Sequence, residues 1–303
     1  MSILVVGSVA FDSIATPFGN APEILGGSAS YFSVAASYFA PVRLVAVVGE
    51  DFDDQHLVPF TSRGVDIRGL EKVPGQTFRW GGEYSRDMNE RTTLYTHLNV
   101  FADFAPKIHP AYLDSQYVFL GNIDPKLQRD VLSQLPHPRM VACDTMNFWI
   151  SGQRESLLET LKLVDILLIN DQEVRQLSEE HHLLKAARGV IAMGPKILVI
   201  KRGEFGALMI SESLIFWIPG LLLEQVFDPT GAGDSFAGGF VGYLASTGCL
   251  DEDHLKRAVV YGSVMASFTV ERFGLEGIVD LNPSVIRDRF NQFHQLTSYT
   301  KSE

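Results

Sequence analysis

Short runs of apolar, largely β-branched residues at Ile3–Val6, Val42–Val48, Tyr117–Leu120, Met140–Cys143, 166–169 and 197–200 alternate with stretches of helical periodicity at 28–39, 125–134, 156–163, 171–177 and 182–192. Runs without a polar face suit strands covered on both sides. Parallel strands cannot be joined by tight hairpins, so helices must supply the crossovers. The alternation therefore predicts an α/β fold with a mostly parallel central sheet. Residues 77–99, TFRWGGEYSRDMNERTTLYTHLN, break the pattern and read as two strands around a polar turn near 87–90. A lone hairpin is marginal in water, so it is expected to pair with the strand-like stretch 11–25, which carries a turn at Gly19 and Asn20. Such a small sheet can cover a cleft at the C-terminal edge of the parallel strands and keep water from a reactive group. It also offers a surface for a homodimer.

The strongest chemical signal is residues 228–240, DPTGAGDSFAGGF. Gly231 and Gly233 lack the Cβ atoms that would hold an anion away from the main chain. With Ala232 between them, they can turn consecutive N–H groups toward one point. From Ser235 onward Phe236, Phe240, Val241 and Leu244 recur at helical spacing, with Gly248 as a C-terminal stop. An anion at 231–233 would sit at the positive end of that helix. Asp234 occupies the same helix start, where the dipole favours its ionised form and lets it accept a hydroxyl proton. The plain alternative is an Asp cap after a Gly-rich turn.

With 303 residues, 46% of them hydrophobic and 20% charged, the chain has the balance of a globular protein able to bury one large core. A formal net charge of −11 argues against nucleic acid as a partner. No apolar run approaches the roughly 20 residues that cross a bilayer, so no membrane partner is expected. SILVVG begins without a basic leader, and Cys143 and Cys249 lie far apart in the chain, so a cytoplasmic protein with reduced thiols is expected. One domain over 1–303, with lid segments near 11–25 and 77–99 inserted in it, accounts for the pattern.

The stretch around Asp234 resembles the C-terminal signature of the ribokinase-like sugar kinases, the phosphofructokinase B family, and weaker matches extend over essentially the whole chain. The resemblance implies a three-layer α/β/α fold with a small β lid. It implies ATP and Mg²⁺ as requirements and phosphorylation of a hydroxyl on a small carbohydrate-type substrate. Asp234 would be the general base, with Gly231, Ala232 and Gly233 forming an anion hole. Asp12 in GSVAFDS stands where the family bears an Asp that accepts sugar hydroxyls, although such an Asp also caps local turns. Gly26 and Gly27 match a Gly-Gly signature that lets substrate lie against the main chain, or else they open a helix capped by Ser28.

Many family members have Asn four residues after the second Gly, where this chain has Tyr31. That leaves room for a larger or more aromatic substrate, and Phe11, Tyr31, Trp80, Phe148 and Trp149 are candidate surfaces for stacking a nucleobase. Asp144 and Asn147 in DTMNFW resemble a substrate-orienting region, with Trp149 where Arg is expected; Asn122 in GNID reads as a loop turn. Asn170 and Glu173 match an N-x-x-E motif that helps to place Mg²⁺ and phosphate, and the same pair forms a capping-box pattern. Lys201, Gly203 and Gly206 resemble a K-x-G-x-x-G segment along the nucleotide, which also fits a tight hairpin. Phe273, Gly274 and Gly277 resemble a turn beside the adenine and monovalent-cation sites, where Asp228 and Thr230 offer oxygens to K⁺. Arg79, Arg86 and Arg91 in the hairpin are candidates for a second phosphate on the acceptor.

Three other readings belong beside this one. A nucleoside kinase would use the same chemistry. A ligand-binding regulator could keep the fold without turnover, but the intact Asp234 counts against it. A dinucleotide-binding oxidoreductase is disfavoured because GSVAFD, not G-x-G-x-x-G, follows the first strand; a Walker A sequence is absent as well.

Overall fold

The computed structural model describes residues 1–298. In chain order the strands are β1 (Ile3–Val6), β2 (Ala10–Thr16), β3 (Gly19–Gly26), β4 (Val42–Val48), β5 (Asp66–Lys72), β6 (Phe78–Tyr84) and β7 (Arg91–His97). They continue as β8 (Tyr117–Leu120), β9 (Met140–Cys143), β10 (Ile166–Asn170), β11 (Ile197–Lys201), β12 (Ala207–Ser211) and β13 (Ile215–Ile218). The helices are α1 (Ser28–Ala36), α2 (Asp54–Thr61), α3 (Pro125–Ser133), α4 (Asn147–Gly152), α5 (Arg154–Leu161), α6 (Asp171–Ser178), α7 (Leu183–Ile191), α8 (Ala232–Thr247), α9 (Glu252–Thr269) and α10 (Pro283–Thr297).

Nine strands form the main sheet in the order β13-β12-β11-β10-β9-β8-β1-β4-β5. It is parallel from β11 to β5, and β12 and β13 close one edge antiparallel. Side chains of a strand alternate between faces, and β1 shows the consequence. Ile3 and Val5 join an apolar layer with Phe32 of α1, Phe240 of α8 and Val259 of α9. Leu4 and Val6 join the opposite layer with Val131 of α3, Leu157 of α5, Val174 of α6 and Val190 of α7. The expected three-layer α/β/α arrangement is the observed one.

β3-β2-β6-β7 form a second, four-stranded sheet. The hairpin at 77–99 pairs with the stretch near 11–25, as expected, through parallel β2 and β6. Its internal turn differs from the expectation. Gly19 and Asn20 lie inside β3, and the reversal falls at Pro17-Phe18. Pro17 supplies a preset φ for a turn, and the Phe18 amide donates to Thr16 Oγ1 at 3.1 Å.

Two helix boundaries also depart from the periodicity. α1 stops at Ala36, short of Pro41, and yields to a turn over 37–39 in which the Phe39 and Ala40 amides both donate to Ala36 O. α8 begins at Ala232, earlier than the apolar repeat indicates, because Gly231 caps it at φ 73°. No described helix is long and apolar enough to cross a membrane.

Candidate active site

β10 and β11 each run one residue past their apolar stretch, so Asn170 and Lys201 end neighbouring strands and face each other in register. Asn170 caps α6. Its Oδ1 accepts the Glu173 amide at 2.8 Å, and Glu173 Oε2 accepts the Asn170 amide at 2.8 Å. The capping box is therefore formed, and it also holds the Glu173 carboxylate at the sheet edge. Lys201 reaches toward the start of α8, with Nζ only 2.9 Å from where a Cβ on Gly233 would stand. β11 returns as β12 through the short turn Gly203–Phe205, and the Arg202 amide donates to Gly206 O at 2.8 Å; the glycines make the expected hairpin.

The loop before α8 is shaped by burial. Asp228 is fully buried, and its carboxylate accepts the amides of Thr230 at 2.8 Å and Gly274 at 3.0 Å, tying the loop to the turn Gly274–Gly277. Gly231 follows with left-handed geometry directly against Tyr31, where a Cβ would lie 2.3 Å from the ring. No L side chain fits there. Ser235 N–H donates to Gly231 O and Ala232 N–H to Pro229 O. Among the described residues the amides of Gly231, Gly233 and Asp234 have no backbone acceptor, as is usual for a helix start open to an anion. Asp234 is the third residue of α8, not its cap.

Asp12 approaches from β2. Its carboxylate lies so close to Gly26 that a Cβ there would fall 1.9 Å from Oδ2. Gly27, at φ 91°, is the N-cap of α1. Ser28 does not cap the helix: its amide and hydroxyl bond Ser8 instead. Asp144, just past the end of β9, is buried beside Asp234, so that each carboxyl acts on the other's charge, and its Oδ1 has no hydrogen-bond partner among the described residues.

Five acids thus converge with few cations, and burial is the first cause of every shift. Burial and then the charge of Asp228 push Asp12 up to about 7. Asp144 is raised well above its ordinary value by burial and by Asp234. Burial also raises Asp234, opposed by Lys201 and Arg91; Glu173, opposed by Lys201; and Asp228, opposed by its two amide donors. The donor set fits Mg²⁺ and a polyphosphate: carboxylate oxygens for the cation, with Lys201 and unpaired amides for the anion.

The lid closes over this edge. Tyr84, the last residue of β6, places its hydroxyl 3.0 Å from Thr230 Oγ1, and Asn89 at the lid tip donates to Glu204 Oε1 at 3.2 Å. In the sequence Trp80, Tyr84 and Tyr95 equally suit a lid or an interface, and nothing in a linear pattern states which residue opposite a turn reaches the body.

The remaining predicted residues separate into two groups. Tyr31 lies beneath Gly231 with its hydroxyl buried and without a partner among the described residues, pushed far above the usual phenol range by burial and then by Asp12. Phe11 packs against Phe52 and His56. Asn147 is exposed at the start of α4 and makes no side-chain hydrogen bond to the cluster. Asn122 holds that helix instead, its Oδ1 accepting Trp149 Nε1 at 2.9 Å. Away from the edge, Cys249, Asp251 and His254 offer ligand atoms within 4.8 Å of one another. Asp251 is already the cap of α9, accepting the His254 amide at 3.1 Å.

The pattern of the pfkB family carbohydrate kinases matches residues 3–280. A cytidine kinase of Thermococcus kodakarensis is 30% identical over 80% of this chain and 87% of its own length. The nucleoside kinase of Methanocaldococcus jannaschii has the same fold at a TM-score of 0.76 and 20% identity, over 96% of this chain and 98% of that one. An Escherichia coli protein solved in complex with ATP and Mg²⁺ superposes at a TM-score of 0.77 and 19% identity, over 97% and 99% of the two chains. The sequence match and the architecture agree: this chain belongs to the pfkB family of carbohydrate kinases.

Proposed function

We propose that the protein transfers the γ-phosphoryl group of ATP to a hydroxyl of a nucleoside or closely related small carbohydrate, with Asp234 as general base. The observation that carries this reading is the convergence of Asp234, the open amides of Gly231 and Gly233, Lys201 and Glu173 on one strand edge. ATP with Mg²⁺, when bound, supplies the phosphoryl group and most of the countercharge. Asp12 and the main chain at Gly26 and Gly27 accept and orient the sugar hydroxyls, and Asp144 adjusts the protonation of Asp234. Asp234 takes the acceptor's proton, while the amides of Gly231, Gly233 and Asp234 stabilise the charge that develops beside them. Asn170, Gly203 and Gly206 border the nucleotide, Glu173 serves Mg²⁺ through water, and the lid excludes water from the reacting phosphate.

A nucleoside is favoured over a free sugar for two reasons. Tyr31 removes the amide that a ribose-like mode would use, and the relatives named above include a cytidine kinase and a nucleoside kinase. Phe11, Trp80, Phe148 and Trp149 are the aromatic groups from which a base platform would come. Further parts of the proposal are a K⁺ ion at Asp228 and Thr230, one kinase domain over the chain, a cytoplasmic location and pairing of two copies through the open lid edges β3 and β7.

A coupled ADP-release assay with ATP, Mg²⁺ and K⁺ over nucleosides, sugars and sugar phosphates, run beside Asp234→Asn, tests the reading. Turnover on nucleosides that vanishes in the variant is expected. Turnover confined to sugars would reverse the acceptor assignment, and silence across the panel with ATP bound would favour a regulator.

A further inference from the structure

Away from the candidate active site, three kinds of metal-ligating side chain gather where α8 hands over to α9. Gly248, at φ 68°, stops α8 by donating its amide to Leu244 O at 2.9 Å, and Asp251 caps α9. The link is therefore only Gly248 to Asp251. It carries Cys249 and Asp251, and His254 follows in the first turn of α9. The helices on either side pack so closely that a Cβ on Gly239 of α8 would fall 2.6 Å from Tyr261 O of α9, which leaves the link little freedom.

The thiol, the carboxylate and the imidazole offer ligand atoms that all lie within 4.8 Å of one another. His254 Nδ1 stands 2.8 Å from both carboxylate oxygens of Asp251, and the His254 ring lies 22° from parallel with that of Tyr243. Helix capping accounts for the bond from the His254 amide to Asp251, but not for a thiol beside them. Cys249 Sγ is only weakly engaged, donating to Thr247 O at 3.6 Å. It is half-buried and open to an ion from solvent. The Tyr117 hydroxyl is fully buried without a partner among the described residues, and it lies within range of the Cys249 charge. A helix start opposes a cation. Here Asp251 and Asp253 offset that field, while Glu252 is paired with Lys256.

We propose that Cys249, Asp251 and His254 bind one divalent cation of borderline softness, Zn²⁺ before others, through one sulfur, one oxygen and one nitrogen, with water in the fourth position. Zn²⁺ bonds of about 2.0–2.3 Å set tetrahedral ligands about 3.3–3.7 Å apart. That spacing lies between the 2.8 Å of the present Nδ1 contact and the 4.8 Å span of the group. On binding, the thiol gives its proton to solvent, and neutral imidazole coordinates through Nδ1 with its proton on Nε2. Sulfur and nitrogen ligands disfavour Mg²⁺, which takes oxygen, so the site does not compete for the nucleotide's cation. α8 spans 16 residues, about 24 Å, from the open amides to this link. The ion therefore fixes the far end of that helix and takes no part in phosphoryl transfer.

The probes are Zn²⁺ and Co²⁺ alone, added to the full chain under reducing conditions with Mg²⁺ in excess to fill sites made of oxygen. Calorimetry should give one Zn²⁺ per chain, and Co²⁺ should show a thiolate-to-metal charge-transfer band. Cys249→Ser should abolish that band, and Cys249→Ser and His254→Gln should each weaken Zn²⁺ by at least about 10-fold. Both variants keep the Asp251 cap, so their melting temperatures without metal should match the wild type, and Zn²⁺ should raise the melting temperature of the wild type alone. A Co²⁺ spectrum without the band, a stoichiometry far below one, or equal Zn²⁺ affinity in the wild type and Cys249→Ser would overturn the site.

Discussion

All four residues of β1 are buried, whereas along β7 every residue but the half-buried Tyr95 is exposed. The two strands stand for two ways of building structure. The main sheet is held by apolar burial on both faces, as where the Phe32 and Phe119 rings stack at 4.1 Å with neither exposed. The outer lid strand β7 buries little, and the hairpin it belongs to meets the body through individual polar contacts: Arg79 to Asp51, Tyr84 to Thr230, Asn89 to Glu204. Damage to the first region should therefore appear as lost stability, and damage to the second as lost function in a folded protein. The candidate site lies where the two meet.

The largest expected effect is on the chemistry, which belongs to the body. Asp234→Asn should lower kcat by about 10²–10⁴. Its melting temperature should hold or rise, because the variant removes a carboxylate that burial penalises. Calorimetry and the coupled assay on one preparation check both halves. Next is the contrast in stability itself. Phe119→Ala should cost about 3–5 kcal/mol, and the lid substitution Leu94→Ala, at a position 59% exposed, about 0.5 kcal/mol or less. Urea unfolding of the two variants would blur the comparison if their midpoints moved together.

Asp12 sits on a lid strand yet is buried like a core residue, so it probes the boundary by pH. Its folded pKa, about 7, is raised above the ordinary carboxylate value of 3.8 by burial, so the folded state binds more protons between those values. The group's contribution is fully present below about pH 4 and is lost as pH rises toward 7. Melting temperatures of the wild-type protein minus those of Asp12→Asn should fall across that window; a flat or rising difference would mean that Asp12 is ionised in the free protein. The smallest effect is expected at the latch. Tyr84→Phe removes one hydrogen bond of about 0.5–1.5 kcal/mol, lowering kcat/KM severalfold without moving the melting temperature. A melting temperature that drops with it would show that the lid contributes to the core after all.

Legibility followed the same division. The β-branched runs of β1, β4, β8 and β9 carry their own boundaries, because a strand buried on both faces must be apolar throughout its length. The glycines around Asp234 likewise act through local backbone geometry. The turn at Pro17-Phe18 was misplaced because Gly19 and Asn20 are turn formers in isolation but are paired with Thr16 and Ala15 in the sheet. Ser28 has the chemistry of a cap, and only its neighbour Ser8, brought alongside by β1, redirects it.

By itself the sequence determined the α/β class with its mostly parallel sheet, the helix start that presents open amides, and the presence of Asp12, Asp144, Glu173 and Asp234 near strand or helix ends, since periodicity and short-range geometry govern all of these. Tertiary structure alone decided that these carboxylates meet, that Tyr31 makes glycine obligatory at position 231, and that Asn147 stays outside. Each of those outcomes depends on distances between residues far apart in the chain, set by strand register and by the burial of neighbouring charges.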